Sequence, residues 1–381
     1  MKHLKNLSAI IIITSLFAAC QKDAKQIPQQ EEFVAGRPTD INNVVGHVYT
    51  LSNQTGGNEV IEFERSSTGI LSWSGSYSTG GTGTGGGLGN QGALVLTDNG
   101  NFLLAINAGS NSIASFKAGN SGLSHVMTIA SGGMMPVSIT QYGNLVYVLN
   151  AGGSGNISGF MIDGDGNLSP IIGSTKPLSS SMAGAAQVSF VQDGKVLVVS
   201  EKATNKLITY TVNSMGVPGT MHSMMSAHPT PFGFAVGHNS NVYVTEADGG
   251  NPGTSAVSSY HVDADGSISL NMGPVTASQT AACWAVATNS GKYVYATNTG
   301  DNNVSSFVTD ASGGLEVWDA VAGNTEGGPI DAALSNNSKY LYVLNAGGHS
   351  ISAFGVGSNG SLDGIQTVHD IPIGATGLIA K

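Results

Sequence analysis

The sequence contains few charged residues and almost no arginine. Asp, Glu, Lys and Arg make up 10% of its 381 residues, whereas an ordinary soluble protein has about 25%. The formal net charge is −10, and Arg37 and Arg65 are the only two arginines. A nucleic-acid surface needs a basic stripe, which this composition cannot provide. The same shortage weighs against enzymes that clamp phosphate or carboxylate groups with arginine side chains.

Helical periodicity and long apolar runs are also lacking. After the N-terminus no apolar stretch approaches the roughly 18 residues that a membrane span requires. What is abundant is glycine, with 54 residues, and the hydrophobic content is 40%. Glycine without a three-residue period excludes collagen, and low charge combined with this apolar content argues against disorder. The composition therefore predicts a folded, turn-rich chain.

The first 40 residues have the pattern of an export signal. Lys2 and Lys5 precede a short apolar run at residues 9–17, and Ala18-Ala19-Cys20 follows. This pattern resembles a bacterial lipoprotein signal, which implies a signal peptide at residues 1–19, lipidation of Cys20 and a flexible tether at residues 20–40. Gln21 after the cysteine is typical of sorting to the outer membrane, so we expect a lipid-anchored envelope protein. The alternative is an ordinary secreted protein with a chance cysteine.

One motif recurs seven times in the rest of the chain. Each copy has an apolar β run that ends in a polar anchor residue, then a turn, then an alternating run that ends in an aromatic residue. The anchors are Ser52, Asn107, Asn150, Glu201, Glu246, Asn298 and Asn345. A repeat of about 40–50 residues with several strands per unit is typical of β-propellers. We therefore predict an all-β fold, a seven-bladed β-propeller at residues 41–381.

The two ends of the repeat region are incomplete in complementary ways. The first unit has no room for an inner strand before Val48, and an apolar run at residues 376–380 follows the last complete unit. We expect the N- and C-terminal strands to pair in one blade and close the ring, which leaves no open interface.

Five sequence blocks, in this order along the chain, resemble the lactonase-like seven-bladed propellers. These are residues 197–206, 231–234, 282–285, 295–300 and 342–347. The group includes 6-phosphogluconolactonase and proteins similar to 3-carboxymuconate cyclase, and its members are thought to use His, Arg and Glu around the central channel. The matching inner-strand positions here hold Gln187, Phe232, Trp284 and Asp331. The resemblance therefore implies the fold and leaves the activity open.

The anchor positions also provide candidate catalytic residues. Glu201 and Glu246 occupy the anchors of neighbouring units, where two carboxylates could divide the roles of acid and base. Lys202 lies beside them and could stabilise an oxyanion. The alternative is that the anchors hydrogen-bond to neighbouring turns, since four of the seven are asparagine.

Ligand binding is predicted at the channel mouth, where inner strands and their loops converge. The candidate ligand-binding residues are Gln187, Phe232, Trp284, Asn298 and Asp331. Trp284 could stack on a flat ligand, or it could simply fill the channel.

Two further segments stand out. The glycine-rich residues 80–89 predict a mobile stretch, either a flap over the channel or a plain linker between blades. Residues 221–228 hold three methionines and two histidines, a soft ligand set that suits Cu(I). Because no spacing rule supports a metal site, we expect a loop that covers apolar surface.

Three functional hypotheses follow. The first is an envelope-anchored propeller that binds a small molecule or protein partner at its channel. The second is a lactone hydrolase or muconate-type cycloisomerase that uses Glu201 and Glu246. The third is a surface adhesion or docking module. We expect a monomer with no cofactor, no metal and no nucleic-acid partner, attached to the membrane only through its lipid.

Overall fold

The computed structural model describes residues 43–119 and 122–381. The predicted signal peptide (1–19), Cys20 and the tether (20–40) lie outside the described residues. Among the described residues, no helix has the length and apolar character needed to cross a bilayer.

Seven antiparallel sheets form the fold, and we number their strands along the chain. The innermost strands are β29 (Thr376–Ala380), β4 (Leu94–Leu96), β8 (Met134–Tyr142), β13 (Ala185–Val191), β17 (Pro231–Val236), β21 (Ala282–Ala287) and β25 (Pro329–Leu334). The second strands are β1 (Val44–Leu51), β5 (Phe102–Asn107), β9 (Leu145–Gly152), β14 (Val196–Glu201), β18 (Asn241–Glu246), β22 (Tyr293–Asn298) and β26 (Tyr340–Asn345).

Two more layers complete each sheet. The third strands are β2 (Glu59–Ser66), β6 (Ser112–Gly119), β10 (Asn156–Ile162), β15 (Lys206–Val212), β19 (Ala256–Val262), β23 (Asn303–Thr309) and β27 (Ser350–Val356). The outer strands are β3 (Leu71–Ser78), β7 (Gly122–Ala130), β11 (Leu168–Pro170) with β12 (Lys176–Pro177), β16 (Pro218–Met225), β20 (Ile268–Thr276), β24 (Leu315–Asn324) and β28 (Leu362–Val368). Two short 3₁₀ turns, His238–Ser240 and Asp248–Gly250, lie in the connections before and after β18.

The sheets form a closed ring. Each innermost strand contacts the innermost strand of the next sheet, and the series returns to β29 after β25. This confirms the predicted seven-bladed propeller, and we number the blades 1 to 7 from the sheet that contains β1. The second strands are almost entirely buried because both of their faces pack against neighbouring blades, whereas outer strands such as β16 are mostly exposed. Sheets packed on both faces need apolar residues on both faces, which accounts for the low charge of the sequence.

Blade 1 combines both ends of the described chain, as predicted. β29 pairs antiparallel with β1, with Val48 opposite Ala380. The hydroxyl of Thr50 donates a hydrogen bond of 2.7 Å to the carbonyl of Gly377. The C-terminal strand therefore fills the inner position that the first repeat lacks.

The propeller has two faces that differ in their connections. Innermost and second strands are antiparallel, so the start of each innermost strand and the end of each second strand lie on the same face. We call this the upper face, and it carries all seven anchors. The hairpins that join innermost to second strands lie on the opposite, lower face.

Candidate functional site

Pairing irregularities shape the channel wall near the upper face. The innermost strands of blades 4 to 7 each shift register close to their first residues. Such bulges re-aim side chains and are frequent next to active sites. Gln187, Phe232, Trp284 and Asp331 all lie at or beside these shifts, so the structure places the four predicted residues together around the channel. Their ligand-binding role stays a prediction.

A stretch between blades 1 and 2 runs through the channel itself. We call residues 88–91 the channel segment, and its hydrogen-bond partners lie on four blades. Lys202 Nζ donates to the Gly89 carbonyl, and Trp284 Nε1 donates to the Asn90 carbonyl. The Asn90 side chain donates from Nδ2 to the Val137 carbonyl and accepts at Oδ1 from Thr376 Oγ1. These residues belong to blades 4, 6, 3 and 1, so the segment crosses the channel from wall to wall.

Gln91 holds the C-terminal end of this segment. Its Nε2 donates to the Ala285 carbonyl at 2.7 Å, and its Oε1 accepts from the Ala285 amide at 3.2 Å. The backbone N–H of Gln91 donates to the Ala186 carbonyl at 3.1 Å. Gln187 makes the same two-bonded contact with the backbone of Phe234, at 3.0 and 2.6 Å. Gln187 thus joins two neighbouring innermost strands, β13 and β17, whereas Gln91 connects the channel segment to β21 and β13.

The preceding glycine-rich stretch is anchored as well. The side-chain amide of Asn53 donates to the carbonyls of Gly86, at 2.7 Å, and Gly374, at 3.0 Å. The sequence left a flap and a linker open for residues 80–89, and it predicted mobility. In the structure this stretch is bonded to the upper face and leads into the channel, while its mobility stays a prediction.

Lys202 faces the channel segment rather than the predicted carboxylate pair. Besides the Gly89 carbonyl, its ammonium lies 4.4 Å from the centre of the Phe232 ring. The side chain is buried, and this burial lowers the pKa of Lys202 to about 7. Its position explains how a cation is kept inside the wall: a carbonyl and an aromatic face replace water.

The carboxylates of Glu201 and Glu246 accept hydrogen bonds from two separate sets of residues. Glu201 accepts hydrogen bonds from the Ser179 amide, the Ser179 hydroxyl and the Thr204 hydroxyl. Glu246 accepts hydrogen bonds from Ser226, Ser258 and Tyr260 hydroxyls and from the His228 amide. The two carboxylates share no partner among the described residues. Their proposed acid and base roles stay predictions, and these contacts favour the alternative role of bracing turns.

The asparagine anchors also form hydrogen bonds that brace the chain after the second strand. Asn298 Nδ2 donates to Asn303 Oδ1 at 2.7 Å and to Ser305 Oγ at 2.8 Å. Asn345 makes the equivalent contacts with Ser350 and Ser352. These two asparagines therefore tie the end of a second strand to the beginning of the third. Burial raises the pKa of the Glu246 carboxyl, although the four hydrogen bonds oppose that shift.

Asp331 joins blade 7 to the closing strand. Its carboxylate accepts hydrogen bonds from the Ala332 amide at 2.8 Å and the Leu378 amide at 3.1 Å. Burial raises the pKa of this carboxyl well above its usual value. The side chain thus connects β25 to β29 at the point where the ring closes.

A cavity of about 610 Å³ opens on the upper face beside the channel segment. It lies against blades 6, 7 and 1, and seven of its lining residues are glycines. Its apolar lining includes Leu88, Trp284, Ile330 and Ile373. His349 is the only ionisable side chain in this described lining. The volume falls in the usual range for small-molecule sites.

Sequence reasoning missed the channel segment because polar residues after a glycine run are typical of loops. The signal was available in the amide pair Asn90-Gln91, directly before the innermost strand of blade 2. The Met/His stretch 221–228 was expected to be a loop. The structure places its first five residues in the outer strand β16, so that expectation was wrong.

Comparisons with known proteins agree with this architecture. A family model described as "Lactonase, 7-bladed beta-propeller" matches residues 42–176 and 236–379. The stretch between the two matched regions contains Gln187, Glu201, Lys202 and Phe232. No curated protein sequence matches the chain.

Solved structures share the fold at low sequence identity. A protein from Lactobacillus plantarum has a TM-score of 0.70 at 17% identity, covering 88% of this chain and 99% of its own. The periplasmic gluconolactonase of Pseudomonas aeruginosa has a TM-score of 0.66 at 16% identity, covering 87% and 99%. A Bacteroides fragilis protein that bears 6-phosphogluconolactonase as a provisional name has a TM-score of 0.68 at 18% identity, covering 91% and 99%. At these identities the likeness concerns the fold alone.

Proposed function

The chain belongs to the family of seven-bladed lactonase β-propellers, and from that premise we propose that it is an envelope-anchored protein that binds a small uncharged ligand on its upper face. The observation that carries this proposal is the cavity beside the channel segment. Its lining offers glycine backbone and apolar side chains, with His349 as the one ionisable group among the described lining residues. A phosphate or carboxylate group would find no cationic side chain there except a protonated His349.

The channel segment directs the ligand to this cavity. It occupies the middle of the upper channel and covers Trp284, which is 1% exposed. A ligand would therefore bind beside the segment, against blades 6, 7 and 1, rather than on the channel axis. A cyclic ester of a sugar is a suitable probe, because it is uncharged and can bond to backbone amides and carbonyls.

The position of Gly86 allows the cavity to be filled by mutation. A Cβ atom at Gly86 would meet no heavy atom within 4 Å, and Gly86 lines the cavity. We expect glucono-1,5-lactone to bind the wild type and to bind Gly86→Leu at least about tenfold more weakly, measured by calorimetry. The matched control is Gly56→Leu in the β1–β2 turn, where a Cβ also meets nothing within 4 Å.

The controls decide the outcome. Unchanged affinity in Gly56→Leu together with weakened affinity in Gly86→Leu supports the proposal. No binding to the wild type, or equal binding to the wild type and Gly86→Leu, contradicts it.

Lactone hydrolysis is the second candidate function, and the structure favours a different base from the one predicted. His349 lines the same cavity as several glycine backbones. Imidazole is the commonest general base near neutral pH, and backbone amides can stabilise an oxyanion. We expect that His349→Gln would abolish any turnover of glucono-1,5-lactone, whereas Glu201→Gln would leave it in place. The opposite pattern would restore the carboxylate hypothesis.

The envelope anchor is the other part of the proposal. It rests on the N-terminal sequence and on Cys20 in particular. We expect wild-type protein in the membrane fraction of cells and Cys20→Ser in the soluble fraction, because stable attachment needs more than one acyl chain and a lipoprotein-type modification of Cys20 would supply them. Equal partitioning of the two proteins would refute lipidation. A monomeric state, a protein partner at the channel mouth as the alternative to a small molecule, and the absence of a nucleic-acid partner stay predictions.

A further inference from the structure

A second cavity lies on the lower face, whereas the channel segment and the first cavity lie at the upper face. Its volume is about 520 Å³, and it is bordered by the innermost-to-second hairpins of blades 3, 4 and 5. The residues that matter for its chemistry are Tyr142, Phe190, Gln192, Asp193, Asn239 and Ser240. None of them was predicted from the sequence to be a site residue, and none lines the upper-face cavity.

The first wall of this cavity is an aromatic ring held in a fixed orientation. Tyr142 keeps 41% of its surface exposed. Its ring packs at 6.2 Å against the buried ring of Phe190. On another side Gly194 lies so close that an added Cβ would be 2.2 Å from the Tyr142 ring, and Gly194 has a φ of 78°. Only glycine fits this approach, so the hairpin of blade 4 is shaped around the tyrosine.

The second wall presents hydrogen-bond acceptors. The Gln192 side chain donates its Nε2 hydrogen to the Val262 carbonyl at 2.6 Å, and Asn239 donates its Nδ2 hydrogen to the Ala311 carbonyl at 3.1 Å. Within the described residues, no donor reaches the amide oxygens of these two side chains or the carboxylate of Asp193. Fixing the amide nitrogens elsewhere determines the orientation of the oxygens that remain.

The backbone of the same two hairpins is strained. Gln192, Asp193, Asn239 and Ser240 have φ values of 54°, 53°, 54° and 58°. Aspartate and asparagine tolerate this left-handed conformation, but glutamine and serine adopt it less readily. In the hairpin of blade 4, Asp193 and Gly194 are the central residues of a turn that the Lys195 amide closes on the Gln192 carbonyl, as in the type I′ turns that hairpins favour, and this turn fixes the position of the Asp193 side chain.

From these walls we infer that the lower-face cavity binds an uncharged saccharide, with a pyranose ring against Tyr142 and its hydroxyls donating to Asp193 and the amide oxygens. Saccharide hydroxyls supply the donors that this wall lacks, and the C–H face of a pyranose packs on aromatic rings. The wall combines the carboxylate of Asp193 with the neutral amide oxygens of Gln192 and Asn239, so most of its acceptors suit the hydroxyls of a neutral ligand. The site needs no part of the function proposed for the upper face.

Ligand-observed NMR with three disaccharides, maltose, cellobiose and N,N′-diacetylchitobiose, tests this inference on the full chain. We expect at least one to bind the wild type, with at least about tenfold weaker binding by Tyr142→Ala and by Asp193→Asn. Tyr142→Phe should retain binding because it keeps the ring. Matched controls are Trp73→Ala and Asp363→Asn, two exposed positions on outer strands.

The outcomes separate this site from the upper one. Gly86→Leu should leave saccharide binding unchanged, and Tyr142→Ala should leave glucono-1,5-lactone binding unchanged. The inference is overturned if none of the disaccharides binds at millimolar concentration, if Tyr142→Ala binds as tightly as the wild type, or if trimethylammonium binds the cavity while the saccharides do not.

Discussion

At the scale of single residues, the anchor position shows that different side chains can serve one structural purpose. Asn298 and Asn345 reach the third strand as hydrogen-bond donors, whereas Glu246 reaches it as an acceptor. The partner changes accordingly, because Ser258 donates to Glu246 while Ser305 and Ser352 accept. A carboxylate at an anchor is therefore compatible with bracing, and its presence alone does not indicate catalysis.

This interpretation predicts the effect of Glu246→Gln. In the wild type, three hydroxyl groups and one backbone amide donate hydrogen bonds to the two carboxylate oxygens of Glu246. In the variant, the side-chain NH₂ of glutamine replaces one of these oxygens and cannot accept a hydrogen bond. Leaving a buried donor without its acceptor costs about 1–3 kcal/mol, and we expect a loss of unfolding free energy of this size in urea titrations. Glu316→Gln, at an exposed position on an outer strand, is the control. An unchanged midpoint for Glu246→Gln would argue against bracing.

Lys202 makes the stability of the propeller depend on pH. Its pKa is lowered from 10.5 to about 7 by burial, so in this window the unfolded chain binds more protons than the folded one. Stability therefore rises as the pH increases from about 7 towards 10, and falls as the pH drops through 7. We expect this rise in wild-type urea midpoints and its loss in Lys202→Met.

The control for this prediction is Lys195→Met, which removes an exposed lysine from the same blade. It should keep the wild-type dependence on pH. If Lys202→Met and the wild type have parallel profiles, the ammonium is not desolvated by the wall as the structure indicates.

At the scale of elements, the strands were predictable from sequence and the channel segment was not. Strand pairs such as β26 and β27 can be recognised from apolar runs, a polar anchor and a short turn, all of which are local features of the sequence. The path of residues 88–91 depends on contacts with Val137, Trp284 and Thr376, which are distant in sequence. No local pattern encodes such contacts, so a glycine run followed by Asn-Gln was indistinguishable from a linker. The inner positions were located correctly, but the direction of Lys202 could not be predicted because it depends on this segment.

Gln91 is the residue through which this element can be tested. Gln91→Leu removes both side-chain bonds to Ala285 while leaving every strand of blade 6 in place. We expect the thermal midpoint to change little and protease cleavage within residues 80–91 to increase, as mapped by mass spectrometry, because cleavage follows local opening. Gln187→Leu, which breaks the equivalent contact between innermost strands, should produce no new cleavage there. Equal cleavage of wild type and Gln91→Leu would mean that the segment does not depend on this glutamine.

At the scale of the whole molecule, ring closure determines whether the chain folds as one unit. Among the described strands, β29 is the inner strand that connects blade 7 to blade 1, and several contacts hold it besides the bond from Thr376 to Asn90. These are its pairing with β1, the bond from Thr50 to Gly377, and the bond from the Leu378 amide to Asp331. Leu378 and Ala380 are also buried in the core between blades 7 and 1.

Removing residues 376–381 should therefore unfold the propeller rather than weaken it slightly. Each lost hydrogen bond is worth about 1 kcal/mol and the buried leucine about 2 kcal/mol, so the sum approaches the 5–15 kcal/mol that typically separates folded from unfolded states. We expect the truncated chain to lose its cooperative thermal transition in circular dichroism. A circular permutant is the matched control, because Lys381 and His47 already exchange backbone hydrogen bonds of 3.3 and 2.7 Å. Connecting Lys381 to Asn43 through a short glycine linker and opening the exposed turn at residues 163–167 keeps every described strand, so this permutant should melt cooperatively near the wild-type temperature. A truncated chain that melts like the permutant would show that the ring holds together without its closing strand.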